Sequence, residues 1–241
     1  MSLSGLVLAI DTSGSESGAA LVATHDPREV LASGYLGADD GRGEALPDCV
    51  AEVLKSAGVG AAELAALAVA RGPGSFTGVR IALALARGLA LVDATPVVGL
   101  GSLDLVAMAA PGAPEPACAL IGAGRDKVYA AAYRRDRDGA PAEVTAPEVV
   151  LDLDLPTFVA AAGDGVALCG ERSLLDRVGG GVAGHLDCQA FEVPVRRAEV
   201  LATIGAELFA RGQGQSADRV LPLYVAAVAA RPNTNRVLVS R

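Results

Sequence analysis

Tryptophan is missing from the chain, and four tyrosines and four phenylalanines are all the aromatic side chains among its 241 residues. That leaves little material for a base-stacking platform. Basic charge is also short, with 20 Lys and Arg against 28 Asp and Glu, a net charge of −8. A nucleic-acid surface carries the opposite balance. The isolated chain is therefore not expected to grip nucleic acid directly, although an acidic protein can still serve an RNA enzyme as a partner. His25 and His185 are the only histidines and stand 160 positions apart. Zinc held through an HxxxH pair is excluded, and no metal site is expected. Cys49, Cys118, Cys169 and Cys188 form no CxxC pattern, which suits a reducing compartment better than a disulfide framework. The longest unbroken apolar run, Leu223 to Ala230, falls far short of the ~18 residues of a membrane span. Leu6 to Ile10 has no basic residues before it and an aspartate directly after it. No signal peptide is expected, and the expected location is the cytoplasm without a membrane partner.

What is abundant is apolar. Hydrophobic residues make up 51%, charged residues 20%, and the mean hydropathy is +0.40, which excludes intrinsic disorder. At roughly 150 residues per domain, the length allows one large domain or two lobes. Strands are predicted at 6–10, 19–23, 30–35 and 66–70, then 96–100, 117–121, 128–134, 143–150 and 166–170. Helices are predicted at 44–57, 77–92, 103–110, 155–162, 173–178 and 198–210. Pro47 is expected in the first turn of the 44–57 helix, with Gly58 stopping it. Prolines 111, 114 and 116 mark a lobe boundary. The expected organisation is an α/β protein with mixed sheets: one lobe over 1–110, a second over 111–230, and a frayed tail over 231–241.

Two segments could carry chemistry. In Ala9-Ile-Asp-Thr-Ser-Gly14 a carboxylate closes a buried strand ahead of a hydroxyl-rich turn. Asp11, Thr12 and Ser13 could face a phosphate and its metal, or Asp11 could simply be satisfied by turn amides. In RGPGSFTGVR at 71–80, Gly72, Gly74 and Gly78 with Pro73 impose an unusual path between strand and helix. Ser75 and Thr77 could cap the helix that follows, and its N-terminus would favour an anion. The spacing is neither a Walker loop nor a dinucleotide loop. A ligand loop and a structural corner both remain open.

The helix after this loop is apolar nearly all round. From Val79 to Val92 its charged residues are Arg80 and Arg87, seven apart and on nearly one face. Such a helix lies in a core or at an interface. The pairs Arg134-Arg135 and Arg196-Arg197 are expected on solvated surfaces. No Ser/His/Asp constellation is supported.

Leu8-Ala-Ile-Asp-Thr-Ser13, RGPGSFTGVR at 71–80, Gly-Leu-Ala at 88–90 and Gly-Leu-Gly-Ser-Leu at 99–103 together resemble the TsaB (YeaZ) family. The resemblance is close from residue 6 to about 110 and looser to about 224. It implies a two-lobed fold of the actin, sugar-kinase and Hsp70 kind, the ASKHA fold. It implies a non-catalytic scaffold in bacterial synthesis of threonylcarbamoyladenosine beside the tRNA anticodon. The implied partners are a TsaD-like transferase and a TsaE-like ATPase, with self-association when alone and tRNA met only through the complex. No cofactor is implied for the isolated chain. Nucleotide is expected either as a weak ligand or at the complex with TsaD and TsaE. TsaD carries HxxxH on its first long helix, whereas 44–57 here has no histidine.

Pairing through two first-lobe helices assigns the interface to Leu46, Cys49, Val50, Val53, Leu54, Ile81, Ala84 and Leu85. Asp11, Thr12, Ser13, Gly72, Gly74, Ser75, Thr77, Gly78 and Arg80 make up the ligand or structural loops. Three departures from the family pattern touch the cleft and the C-terminal end: Arg42 where histidine is usual, Gly122 where a carboxylate is usual, and Ala226 where arginine is usual. The rival readings are an independent ATP-dependent kinase or phosphohydrolase using Asp11 and the 72–78 loop, and, last, a peptidase. If no metal–nucleotide binds, Asp11→Asn is expected to leave stability nearly intact.

Overall fold

Apolar runs punctuated by turn residues produce one series of elements twice. The first pass is β1 (Leu6–Asp11), β2 (Ser17–Ala23), β3 (Asp26–Leu36), α1 (Arg42–Ser56), β4 (Leu64–Ala70), α2 (Phe76–Asp93), β5 (Val97–Leu100) and α3 (Ser102–Met108). The second is β6 (Ala117–Gly122), β7 (Lys127–Arg135), β8 (Pro141–Leu151), α4 (Leu155–Ala161), β9 (Ala167–Gly170), α5 (Arg172–Ala183), β10 (Gln189–Glu192) and α6 (Ala198–Ala210). This computed structural model describes residues 5–37, 42–110, 112–135, 141–183, 188–194 and 196–225, with the backbone alone at 42, 43, 182 and 183. The tail expected to fray at 231–241, the Arg42 side chain and Ala226 lie outside the described residues.

The sheets have the orders β3-β2-β1-β4-β5 and β10-β9-β6-β7-β8. Read from its other end, the second repeats the first. Each is an antiparallel three-stranded meander joined to two parallel strands by helical crossovers. The duplication shows no short sequence repeat, because only the pattern of buried strands and turns is shared. β10, short and mostly exposed, is the strand that the sequence reading missed.

Alternation along each strand builds two cores per sheet. Leu6, Leu8 and Ile10 of β1 face α1 and α2, while Val7 and Ala9 face α6. In the second sheet Cys118 and Leu120 face α4 and α5, while Ala117, Ala119 and Ile121 face α3. The last helix of each series thus covers the other series' sheet. Alanines 9, 20, 66, 68 and 70 leave α6 room. A Cβ at Gly205 would collide with the Ala68 side chain, so glycine there sets the depth of the helix. This exchange crosses the expected boundary between 1–110 and 111–230. α6 belongs by packing to the first sheet, because its apolar residues Leu201, Ala202 and Ile204 have their partners there.

Several local expectations need adjusting. α1 starts at Arg42, so Pro47 sits inside it and not in its first turn. Gly58 does end the helix with positive φ (69°), while Val59 N–H bonds to Leu54 C=O at 3.1 Å. Ser75 is the cap of α2, its Oγ accepting from Gly78 N–H at 3.2 Å. Thr77 is exposed within the helix and does not cap it.

Candidate functional site

β1 ends at Asp11, and the following turn brings Ser13 back onto its carboxylate. Ser13 N–H donates to Asp11 Oδ1 at 2.8 Å and Ser13 Oγ–H donates to the same oxygen at 2.6 Å. The other oxygen, Oδ2, accepts from Arg197 Nε at 3.1 Å, and Arg197 Nη2 donates to Ser13 Oγ at 3.1 Å. The three side chains close a ring in which Ser13 Oγ donates once and accepts once. Arg197 is 1% exposed and Asp11 3%. The expectation of a solvated Arg196-Arg197 pair therefore holds only for Arg196. Arg197 was missed because its surroundings, Val-Pro-Val-Arg-Arg-Ala, give no local sign of a carboxylate 186 positions away. Thr12 Oγ1 and Ser17 Oγ beside this ring are buried without a hydrogen-bond partner.

The glycine-rich loop packs directly on that turn. Gly74 has φ 154°, and a Cβ there would strike the Ser13 carbonyl. A Cβ on Gly78 would strike the Thr12 carbonyl. Gly72 has φ 94°, and its Cβ would lie 2.9 Å from the Leu223 carbonyl oxygen. The motif thus lets three backbone segments approach one another. Ser102 clamps its start, accepting from Gly72 N–H at 3.1 Å while its own N–H donates to Gly72 C=O at 2.8 Å.

Between the lobes lies a cleft of about 400 Å³. Ser13, Gly14, Ser15, Ser75 and Arg197 line one wall, and Ile121, Gly122, Gly124, Glu171 and Arg177 the other. Its charged groups are engaged. Glu171 Oε1 accepts from Ser15 N–H at 3.3 Å, crossing from lobe to lobe. Arg177 donates to the carbonyls of Gly124 and Lys127, both at 3.0 Å, and its Nε lies 3.4 Å from Asp152 Oδ2. Gly122 ends β6 as Asp11 ends β1, so the matching position on the second sheet has no carboxylate. No cluster of three or more metal-ligand side chains exists among the described residues. A metal–nucleotide would need the Asp11 oxygens that Ser13 and Arg197 already take, so these residues do not fit it.

The eight residues expected at an interface fall into two sets. Leu46, Val50, Val53 and Leu54 are buried in the core with β1, β2 and α2, which corrects their assignment. They fill the protein's own interior because the inner face of α1 has the first sheet to cover. Cys49 is half-buried against Gly34 of β3. On α2, Ile81 and Leu85 are partly buried on the same core, while Ala84 is exposed. The outward stripe continues through Gly88 to Leu91 and Val92, which are 83% and 81% exposed. Sequence reasoning missed these last two, although their helical spacing from Ala84 and Gly88 was visible.

Arg80 and Arg87 serve a third purpose. Arg80 stacks on Phe76, 3.8 Å from the ring centre, and donates to Tyr224 Oη at 2.8 Å. Arg87 donates to the carbonyls of Ala217 and Val220 at 3.2 and 2.9 Å. Together they strap the segment after α6 along α2.

A duplicated β-meander with two crossovers per lobe and a cleft between them defines the two-lobed class of actin, sugar kinases and Hsp70. Within that class, residues 38–167 match the family model described as TsaD, tRNA N6-adenosine threonylcarbamoyltransferase. The tRNA threonylcarbamoyladenosine biosynthesis protein TsaB of Escherichia coli is 31% identical over 184 residues, 73% of this chain and 77% of that one. The tRNA N6-adenosine threonylcarbamoyltransferase of Nitrobacter hamburgensis is 31% identical over 120 residues, 43% of this chain and 34% of the other. The solved structure of YeaZ from Pseudomonas aeruginosa superposes with a TM-score of 0.75 at 28% identity, covering 92% of this chain and all of that one. The chain belongs to the TsaB (YeaZ) family.

Proposed function

We propose that the chain is a non-catalytic scaffold subunit in the synthesis of threonylcarbamoyladenosine on tRNA, paired with a TsaD-like transferase. The observation that carries this reading is the outward face of α2. Leu91 and Val92 stand in solvent beside Ala84 and Gly88, on a helix whose opposite face is core. An exposed apolar stripe on a regular helix is what a helix-packed interface requires. The same stripe serves self-association when the chain is alone. A TsaE-like ATPase joins the pair, and tRNA is reached through the complex.

The cleft supports the same reading from the other side. An independent kinase or phosphohydrolase needs a carboxylate free to hold a metal at the phosphates, and Asp11 is bound to Arg197 and Ser13. A peptidase needs a nucleophile or metal set, and the described residues bring no metal set together.

Size-exclusion chromatography of the chain mixed with a TsaD-like protein tests the proposal. Co-elution that Leu91→Glu abolishes, while the variant keeps its melting temperature, is the expected result. Co-elution that survives Leu91→Glu and Ala84→Glu together removes α2 as the docking face. Nucleotide hydrolysis by the chain alone would revive the enzyme reading.

A further inference from the structure

We infer that Arg197 is a resident cation of the interlobe cleft, taking at Asp11 the charge-compensating place that a divalent metal ion would otherwise fill. An aspartate at the end of a buried strand, over a hydroxyl-rich turn, needs a positive charge or hydrogen-bond donors once it is out of water. Here both oxygens are satisfied from within the chain, one by Ser13 and one by Arg197.

Three further features fit this assignment. The guanidinium makes two bonds to two different residues, Asp11 and Ser13, so it fixes the turn as a bridging ion would. Gly14 leaves space for it, since a Cβ there would collide with Arg197 Nη2 and lie 2.9 Å from Glu171 Oε1. The matching strand end on the second sheet is Gly122, so the cleft offers a metal no opposing carboxylate at that position.

The consequence is conformational. Arg197 holds Asp11 and Ser13, the turn then presents Ser15 N–H, and Glu171 of the second lobe accepts from it at 3.3 Å. The two walls of the cleft are thus linked through the chain's own groups. This goes beyond the scaffold reading and does not depend on the identity of a partner.

Thermal melting of the full chain in EDTA and in millimolar Mg²⁺ or Ca²⁺ tests it. The wild type is expected to melt at one temperature in all three. Arg197→Gln is expected to melt lower in EDTA by roughly 6 °C or more. It should recover part of that loss with either cation, and Asp11→Asn combined with Arg197→Gln should show no recovery. If Arg197→Gln does not fold, Arg197→Lys replaces it, since a lysine ammonium lacks the planar fork by which the guanidinium meets Asp11 through Nε and Ser13 through Nη2. A cation response in that variant beyond the wild type supports the assignment. A response absent from both variants, one that persists without Asp11, or one already present in the wild type overturns it.

Discussion

Arg197 Nε meets Asp11 Oδ2 at 3.1 Å with both side chains out of water, joining the end of β1 to the residue that precedes α6. Removing one partner of such a pair strands the other as a buried charge, which typically costs about 3–5 kcal/mol. The expectation that Asp11→Asn is nearly neutral is therefore revised. Asp11→Asn and Arg197→Met are each expected to destabilise strongly in urea unfolding, and the double variant to lose less than the sum. A coupling energy of about 1–3 kcal/mol is the expected size. Strict additivity would show that the pair does not act as a unit.

Two glycines, one before α2 and one within it, should respond in opposite directions. Gly74→Ala puts a Cβ into the Ser13 carbonyl at φ 154°, so a loss above about 1 kcal/mol is expected. Gly88 lies mid-helix, and a Cβ there would meet nothing within 4 Å, so Gly88→Ala should gain about 0.5–1 kcal/mol. Denaturant midpoints measured side by side decide this. Equal effects would mean that the 72–78 loop tolerates a side chain.

Association and folding should separate between the two first-lobe helices. Val53→Glu buries an unpaired charge among Leu6, Leu21 and their neighbours and should leave little folded protein. Leu91→Glu alters an exposed position and should leave stability within about 0.5 kcal/mol of wild type while abolishing association in light scattering. A folded, monomeric Val53→Glu protein would return α1 to the interface.

Loss of the Arg87 strap should free the segment it holds. Arg87→Ala removes donors to the Ala217 and Val220 carbonyls. Limited trypsin digestion is expected to cut after Arg219 several-fold faster than in the wild type, because cleavage follows local opening. An unchanged rate would place the hold elsewhere, with Leu223 N–H on the Arg71 carbonyl at 2.7 Å as the next candidate.

The buried thiols should be unreactive. Burial pushes Cys169 up to about 12 and raises Cys118 and Cys49 as well. At pH 8 the Cys169 thiol is then almost wholly protonated, and the thiolate is the reactive form. Iodoacetamide is expected to spare Cys118 and Cys169 in the native chain and to label them in urea. The same shift has a stability consequence. The neutral folded form is favoured below the ordinary thiol pKa of 9.0, and that advantage is lost as pH rises from there towards 12. Rapid native labelling of Cys118 would show an opening that the packing does not contain.

Strand and helix identity was readable from the sequence, because buried strands, a glycine stop after α1 and a serine cap on α2 are local features with short-range signatures. So was an unusual turn at 72–78, which glycine and proline make accessible, while its use as a corner depends on the Ser13, Thr12 and Leu223 backbone packed against it. The family resemblance was readable for the same reason, since its motifs are contiguous. Tertiary structure decided the rest. Which apolar face of α1 meets the first sheet cannot be known until the sheet exists, and that placed Leu46, Val50, Val53 and Leu54 inside. The exchange of α3 and α6 between the sheets depends on strand order and on how deep alanine and glycine let a helix sit. Arg197 is one of two adjacent arginines in the sequence. Only the fold sets one in water and the other against Asp11, because burying a guanidinium requires a carboxylate that the chain supplies from its opposite end.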